Sequence, residues 1–89
     1  MIPDEAVQEK QYGTKKIRYL GLIDYLSKNA ALVEVHKNGD HEKSIYHYNS
    51  STIVVKLEKD KLRLKVVSNT GDQSSIIFGD LEKILLNKK

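Results

Sequence analysis

Two short stretches with an apolar residue at every second position, residues 53–57 and 62–66, most constrain how this chain can fold. Every second position in them is apolar: Ile53, Val55 and Leu57, then Leu62, Leu64 and Val66. Because successive side chains of a strand point to opposite faces, this spacing predicts two strands that each have one apolar face. With Lys59 and Asp60 as a two-residue turn, the apolar residues pair across the hairpin: Leu57 with Leu62, Val55 with Leu64, and Ile53 with Val66. The segment therefore predicts an antiparallel hairpin with its apolar side turned towards a core.

A second hairpin is indicated by Asn38 and Gly39, since Asn-Gly is the dipeptide most favoured in tight two-residue turns. The strands on either side are predicted over residues 30–37 and 41–48. With Asn38 and Gly39 as the turn, His36 would lie directly opposite His41. Residues 49–52 are polar and predict a further break.

The segment 17–26 is compatible with either a helix or a strand, and the strand is favoured. On a helix its apolar residues scatter around the whole circumference, which a small domain cannot bury. On a strand, four residues share one face: Ile17, Tyr19, Ile23 and Tyr25. Gly21 would then mark a bulge or bend.

The two ends of the chain predict short helices. Pro3, Asp4 and Glu5 suit a first helical turn, so residues 1–14 are expected to be a short helix or a polar tail. Residues 75–78 predict a short strand, and Asp80 predicts the N-cap of a helix over 80–87. The predicted fold is mainly β: a small antiparallel curled sheet or partly open barrel, SH3-like or OB-like, of about five strands, with a short C-terminal helix and an N-terminal helix or tail.

The 89 residues suffice for a single domain, expected over residues 15–89 behind the polar segment 1–14. The chain has no cysteine, which excludes disulfides, thiolate chemistry and cysteine-ligated metals. No apolar run approaches the roughly 20 residues of a membrane span, and the first residues do not resemble a secretion signal. The expected location is therefore cytoplasmic.

The sequence argues against catalysis. It contains no nucleophile elbow, zinc-binding helix, phosphate-binding loop or dinucleotide-binding glycine pattern, so no catalytic residue and no cofactor is predicted. His36 and His41 could act together if they face each other, but His47 would lie roughly 20 Å further along the strand. A third metal ligand is therefore missing, and no metal site is predicted.

Basic residues suggest the leading function. The candidate residues for nucleic-acid binding are Lys15, Lys16, Arg18, Lys56, Arg63 and Lys65, with Tyr46 and Tyr48 as candidate stacking residues. In the predicted register Lys56 lies opposite Arg63, a like-charge pair that an anion would relieve. A shift of the register by two residues would instead place Glu58 opposite Arg63, and the lysines could equally form a solvated face. The tyrosines could equally complete the core rim.

The alternative function is protein–protein interaction. A small β protein with an unpaired edge strand can add a strand from a partner protein or from a second copy of itself. The sequence thus predicts a non-enzymatic binding module that associates with nucleic acid or, alternatively, acts as an adaptor, an inhibitor or a homo-oligomer. No small-molecule substrate and no membrane contact are expected.

Overall fold

The computed structural model describes residues 6–86, which form five strands and two α-helices. The elements in chain order are β1 (Ala6–Gly13), a 3-10 turn (Thr14–Lys16), α1 (Tyr19–Asn29), β2 (Ala31–Asn38), β3 (His41–Tyr48), β4 (Ser51–Leu57), β5 (Lys61–Ser68) and α2 (Gly71–Leu85). The strands form one antiparallel sheet in the order β1-β5-β4-β3-β2. The sheet does not close, so β1 and β2 are its edges. This confirms the predicted mainly-β fold with an open antiparallel sheet of five strands.

The hairpin of β4 and β5 has the predicted register. Leu57 pairs with Leu62, and the apolar pairs continue through Val55 to Ile53. Lys56 lies opposite Arg63, so the alternative register with Glu58 opposite Arg63 is not adopted. The apolar side of this hairpin forms the centre of the core.

The hairpin of β2 and β3 turns one residue later than predicted. Its turn consists of Gly39 and Asp40, and Gly39 has a φ of 63°, which suits the first central position of a type II′ turn. Asn38 therefore pairs with His41, and His36 pairs with Lys43. The predicted opposition of His36 and His41 is wrong.

The predicted strand over 17–26 is also wrong, because most of this segment belongs to α1. Leu22 and Leu26 are fully buried one helical turn apart, and Tyr19 and Ile23 complete a stripe at helical spacing. Leu20 is 77% exposed on the other side of the helix. This exposed leucine makes the apolar residues look scattered in the sequence, although only one side of the helix is buried.

The C-terminal helix begins much earlier than predicted. The N-cap of α2 is Thr70, whose hydroxyl accepts a hydrogen bond from the backbone N–H of Gln73 at 3.1 Å. The predicted strand 75–78 is therefore wrong, and Asp80 is an exposed residue inside the helix rather than its N-cap. The last predicted helical residue, Asn87, lies outside the described residues.

The described part of the polar N-terminal segment, from Ala6 onward, forms the edge strand β1 rather than a helix or tail. It pairs with β5 along its whole length, from Ala6 opposite Ser68 to Gly13 opposite Lys61. The predicted helical start at Pro3 lies outside the described residues. Because it takes part in the sheet, β1 is part of the same folded unit.

Both helices pack on one face of the sheet. α2 contacts β5 and β1, while α1 contacts α2 and β2. The core between the layers consists of Leu22, Leu26, Tyr46, Ile53, Val55, Leu62, Leu64, Val66, Ile77, Phe78, Leu81 and Leu85. Neither helix within residues 6–86 has the length and apolar character required to cross a bilayer.

Candidate nucleic-acid interface

The side of the sheet that faces away from the helices, which we call the open face, carries no buried residue among the described ones. The strand pairings align one residue from each strand into a row that runs across it. His36 pairs with Lys43, Lys43 with Lys56, Lys56 with Arg63, and Arg63 with Gln11. With neighbouring strands about 4.8 Å apart, this basic row is roughly 19 Å long.

A second row lies directly beside the basic row and is mostly neutral at its centre. It consists of Glu34, Ile45, Val54, Lys65 and Glu9. Between the two rows lies a shallow depression of about 160 Å³, lined by Glu9, Lys43, Val54, Lys56, Arg63 and Lys65. The depression thus brings together four cationic side chains and one carboxylate.

The cations of this depression are only partly neutralised. Lys56 Nζ lies 3.8 Å from a carboxylate oxygen of Glu58, and Arg63 Nε lies 3.7 Å from one of Glu9. Arg63 also donates a hydrogen bond from Nη2 to Oε1 of Gln11 at 3.1 Å. Within residues 6–86, Lys43 and Lys65 form no ion pair. The open face therefore holds an excess of positive charge at its centre.

The inner part of the basic row places like charges opposite one another on three adjacent strands. Lys56 has Lys43 on one side and Arg63 on the other, and each such cross-strand contact is destabilising by some tenths of a kcal/mol. The strands concerned, β3, β4 and β5, are the inner strands of the sheet. Lysines that guard a sheet against edge-to-edge aggregation are needed on the edge strands instead.

Three of the predicted binding residues lie elsewhere. Lys15 and Lys16 belong to the 3-10 turn that comes after β1, and Arg18 precedes α1. The backbone N–H of Arg18 donates to the carbonyl oxygen of Leu85 in α2, so the chain here has passed from the sheet to the helical layer. These three residues lie at one end of the sheet and do not extend the basic row. The prediction grouped them with it because it placed them at the start of a strand.

The two predicted stacking residues lie on the opposite face of the sheet. Tyr46 is only 4% exposed and belongs to the core, and Tyr48 is partly buried against it. The neighbouring hydroxyl of Tyr48 is the main cause that raises the pKa of Tyr25 in α1. A nucleic acid on the open face cannot reach either ring. Their placement in the predicted site is therefore wrong, and the core-rim interpretation fits them.

The histidines do not form a metal site in the described part of the chain. His36 Nε2 lies 3.1 Å from Glu34 Oε1 on the same strand. No group of three His, Asp or Glu side chains in residues 6–86 is close enough together to hold a metal ion. His36 and His41 are instead members of the open face.

The prediction missed Lys43. It lies opposite Lys56 because the turn of Asn49 and Ser50 joins β3 to β4 with Tyr48 opposite Ser51. Counting back from that turn would have placed Lys43 beside Lys56. The sequence signal was thus present in the length of the turn.

Comparisons with protein-family models, with curated proteins and with solved structures found no match to this chain.

Proposed function

We propose that the protein binds double-stranded nucleic acid through the open face of its sheet, by contacts to the phosphate backbone. Four side chains would make these contacts: Lys43, Lys56, Arg63 and Lys65. The observation that supports this proposal is the line of like charges Lys43–Lys56–Arg63 on adjacent inner strands. A row of phosphates between these side chains would turn two repulsive contacts into attractive ones.

The composition of the open face favours backbone contacts over base stacking. Proteins that bind single strands stack bases on aromatic side chains beside a basic groove. No aromatic residue of the described chain lies on the open face; the strand tyrosines Tyr12, Tyr46 and Tyr48 all face the helices. A duplex presents its phosphates at high charge density without unstacked bases, and it suits a face with an excess of cations at its centre. The binding is therefore expected to be independent of base sequence.

Binding of labelled duplex DNA, duplex RNA and single-stranded DNA at low salt tests this proposal, with fluorescence anisotropy as the readout. We expect both duplexes to bind at least as tightly as the single strand. The variant Lys56→Glu is expected to weaken duplex binding about tenfold or more, because it places a negative charge at the centre of the basic row. The matched control is Lys83→Glu, which makes the same charge change on α2 in the helical layer. It should weaken binding by less than about threefold.

The same two variants show whether the open face binds nucleic acid or is only exposed to solvent. In Lys56→Glu the new carboxylate lies opposite Lys43 and Arg63, so two repulsive contacts become attractive. Because the ion pair of Lys56 with Glu58 is lost, part of this gain is offset, and we expect the free energy of unfolding to rise by about 0.5 kcal/mol while nucleic-acid binding falls. Lys83→Glu places an acid in the last turn of α2, where it opposes the helix dipole and should not stabilise the fold. Unchanged duplex binding by Lys56→Glu would overturn the proposal.

A further inference from the structure

The edge strand β2 is unusually exposed and apolar for a free edge. All eight of its residues are exposed, and they include Leu32, Val33 and Val35, with 55%, 48% and 45% of their surface accessible. At the other edge, β1 exposes a single large apolar residue, Val7. Exposed apolar edge strands are sites where another strand can pair.

The turn of the hairpin determines which backbone groups of β2 point outward. In an antiparallel pair, residues alternate between pairs that exchange hydrogen bonds and pairs that do not. The pair next to a two-residue turn, here Asn38 and His41, exchanges them. His36 and Glu34 therefore direct their N–H and C=O groups to β3. Val35 and Lys37 direct theirs to the free edge.

We propose that β2 pairs with β2 of a second copy of this chain, antiparallel and with Val35 opposite the partner's Val35. The outward-pointing N–H of each Val35 then donates a hydrogen bond to the outward-pointing C=O of the partner's Val35. In this register Glu34 of each copy lies opposite the partner's His36, so this contact occurs twice on the open face. The pairing thus sets a carboxylate, which accepts hydrogen bonds, opposite an imidazole, which can donate one, at both positions.

The neighbouring registers lack this pairing of a carboxylate with an imidazole. The open faces of both copies lie on the same side of the joined sheet only in certain registers. From one such register to the next, the sum of the two paired residue numbers changes by two. One such shift centres the pair on His36, which puts His36 opposite the partner's His36. The other centres it on Glu34 and places two carboxylates face to face. The second copy therefore fits the register centred on Val35 best.

The resulting dimer is closed and continues the sheet. A two-fold axis through Val35 uses both free β2 edges, so the pairing at this edge stops at two copies. The register irregularity between Leu32 and Glu34 limits the regular part of the pairing to a few residues. A single short strand pair lies at the low end of interface sizes, and we expect a dissociation constant in the micromolar range. Both open faces point to the same side.

The sequence contains no cysteine, which allows a direct test of the two-fold position. In the variant Val35→Cys, the two new thiols of the dimer lie opposite each other on one face of the sheet, within reach of a disulfide. Mild oxidation of the full chain is expected to produce a disulfide-linked dimer rapidly. Val7→Cys, an exposed valine at the other edge, is the control and should cross-link at least tenfold more slowly. Equal or faster cross-linking of Val7→Cys would overturn the proposal.

The register is tested by charge exchange, with sedimentation velocity over a concentration series. Glu34→Lys removes the carboxylate that faces the partner's His36 and should weaken the dimer at least tenfold, whereas Glu34→Lys combined with His36→Glu places opposite charges at these positions and should restore dimerisation. Measurements at low ionic strength, on protein freed of nucleic acid, avoid screening of these exposed charges and keep this result separate from duplex binding. A wild-type chain that stays monomeric up to millimolar concentration would overturn the dimer. A dimer that Glu34→Lys leaves intact would overturn this register.

Discussion

At the scale of single residues, the turn between β3 and β4 holds two side-chain-bearing residues in the left-handed region. Asn49 has a φ of 49° and Ser50 a φ of 66°. Asparagine tolerates this region, but serine is disfavoured there by about 1–2 kcal/mol relative to glycine. The turn is the type I′ form, for which Asn-Gly is the preferred dipeptide.

We therefore expect Ser50→Gly to raise the free energy of unfolding by about 1 kcal/mol, because it relieves the left-handed backbone at a site exposed to solvent. The converse change is Gly39→Ala, at a φ of 63° where an added Cβ would meet nothing within 4 Å. Its cost should be purely conformational and of similar size. Chemical denaturation of both variants measures the two effects. A destabilised Ser50→Gly would contradict the conformation of this turn.

A second residue-scale prediction concerns Glu82 on α2. Its carboxylate accepts hydrogen bonds from Tyr12 Oη at 2.8 Å and from Lys10 Nζ at 3.1 Å, and so ties β1 to α2. The hydrogen bond from Tyr12 is the main cause that lowers the pKa of Glu82 below its ordinary value of 4.5. Burial is the main cause that raises the pKa of Tyr12.

A carboxyl group with a lowered pKa stabilises the folded state. This stabilisation is complete above the pKa that the group has in the unfolded chain, and it is lost as the pH falls through the pKa that the group has in the folded protein. We expect Tyr12→Phe to lower the free energy of unfolding by about 1 kcal/mol at pH 7. The difference from the wild type should shrink as the pH falls below the ordinary carboxyl pKa of 4.5 and through the lowered pKa of Glu82 in the folded protein. Denaturation curves at pH 7 and pH 3 show whether it does. A difference that is the same at both values would contradict a bond to the ionised carboxylate.

At the scale of secondary-structure elements, the start of α2 makes a direct prediction. Thr70 caps the helix, whereas Asp80 lies exposed within it. Thr70→Ala should lower the free energy of unfolding by about 1 kcal/mol, because it removes the side-chain acceptor for the N–H of Gln73. Asp80→Ala should change it by less than half as much. The reverse order would indicate a helix that begins near residue 80.

The hairpins could be predicted from the sequence because they depend on local rules. Alternation fixes the faces of β4 and β5, and the two-residue turn at Lys59 and Asp60 fixes their register. For this reason Lys56, Arg63 and Lys65 were correctly placed on one face. Lys15, Lys16 and Arg18 were misplaced together with α1, since their position depends on whether the next segment of the chain is a strand or a helix.

The helices were obscured by exposed apolar residues. Leu20 in α1 and Ile76 in α2 are 77% and 64% exposed, and each blurs the boundary between the apolar and polar sides. The edge strand β1 was missed for a different reason: among the side chains described on its helix-facing side, Tyr12 alone packs against the core. Its identity as a strand depends on pairing with β5, and a local pattern cannot show such a long-range contact.

At the scale of the whole molecule, the two faces of the sheet differ in what covers them. The helical layer covers one face and supplies the apolar partners for the core. The other face needs no cover because its inner positions hold cations and half-buried aliphatic side chains rather than a second apolar surface. The fold thus leaves one charged face of the sheet uncovered, and the proposed duplex binding depends on this face.

The salt dependence of duplex binding tests this account most directly. Lys43, Lys56, Arg63 and Lys65 together would neutralise about four phosphates, which predicts a slope of about −3.6 in a plot of log K against log salt concentration. Removal of one cation in Lys43→Ala should make the slope shallower by about 0.9, while Lys83→Ala should leave it unchanged. An absence of duplex binding at low salt, or a slope that Lys43→Ala does not change, would contradict the account.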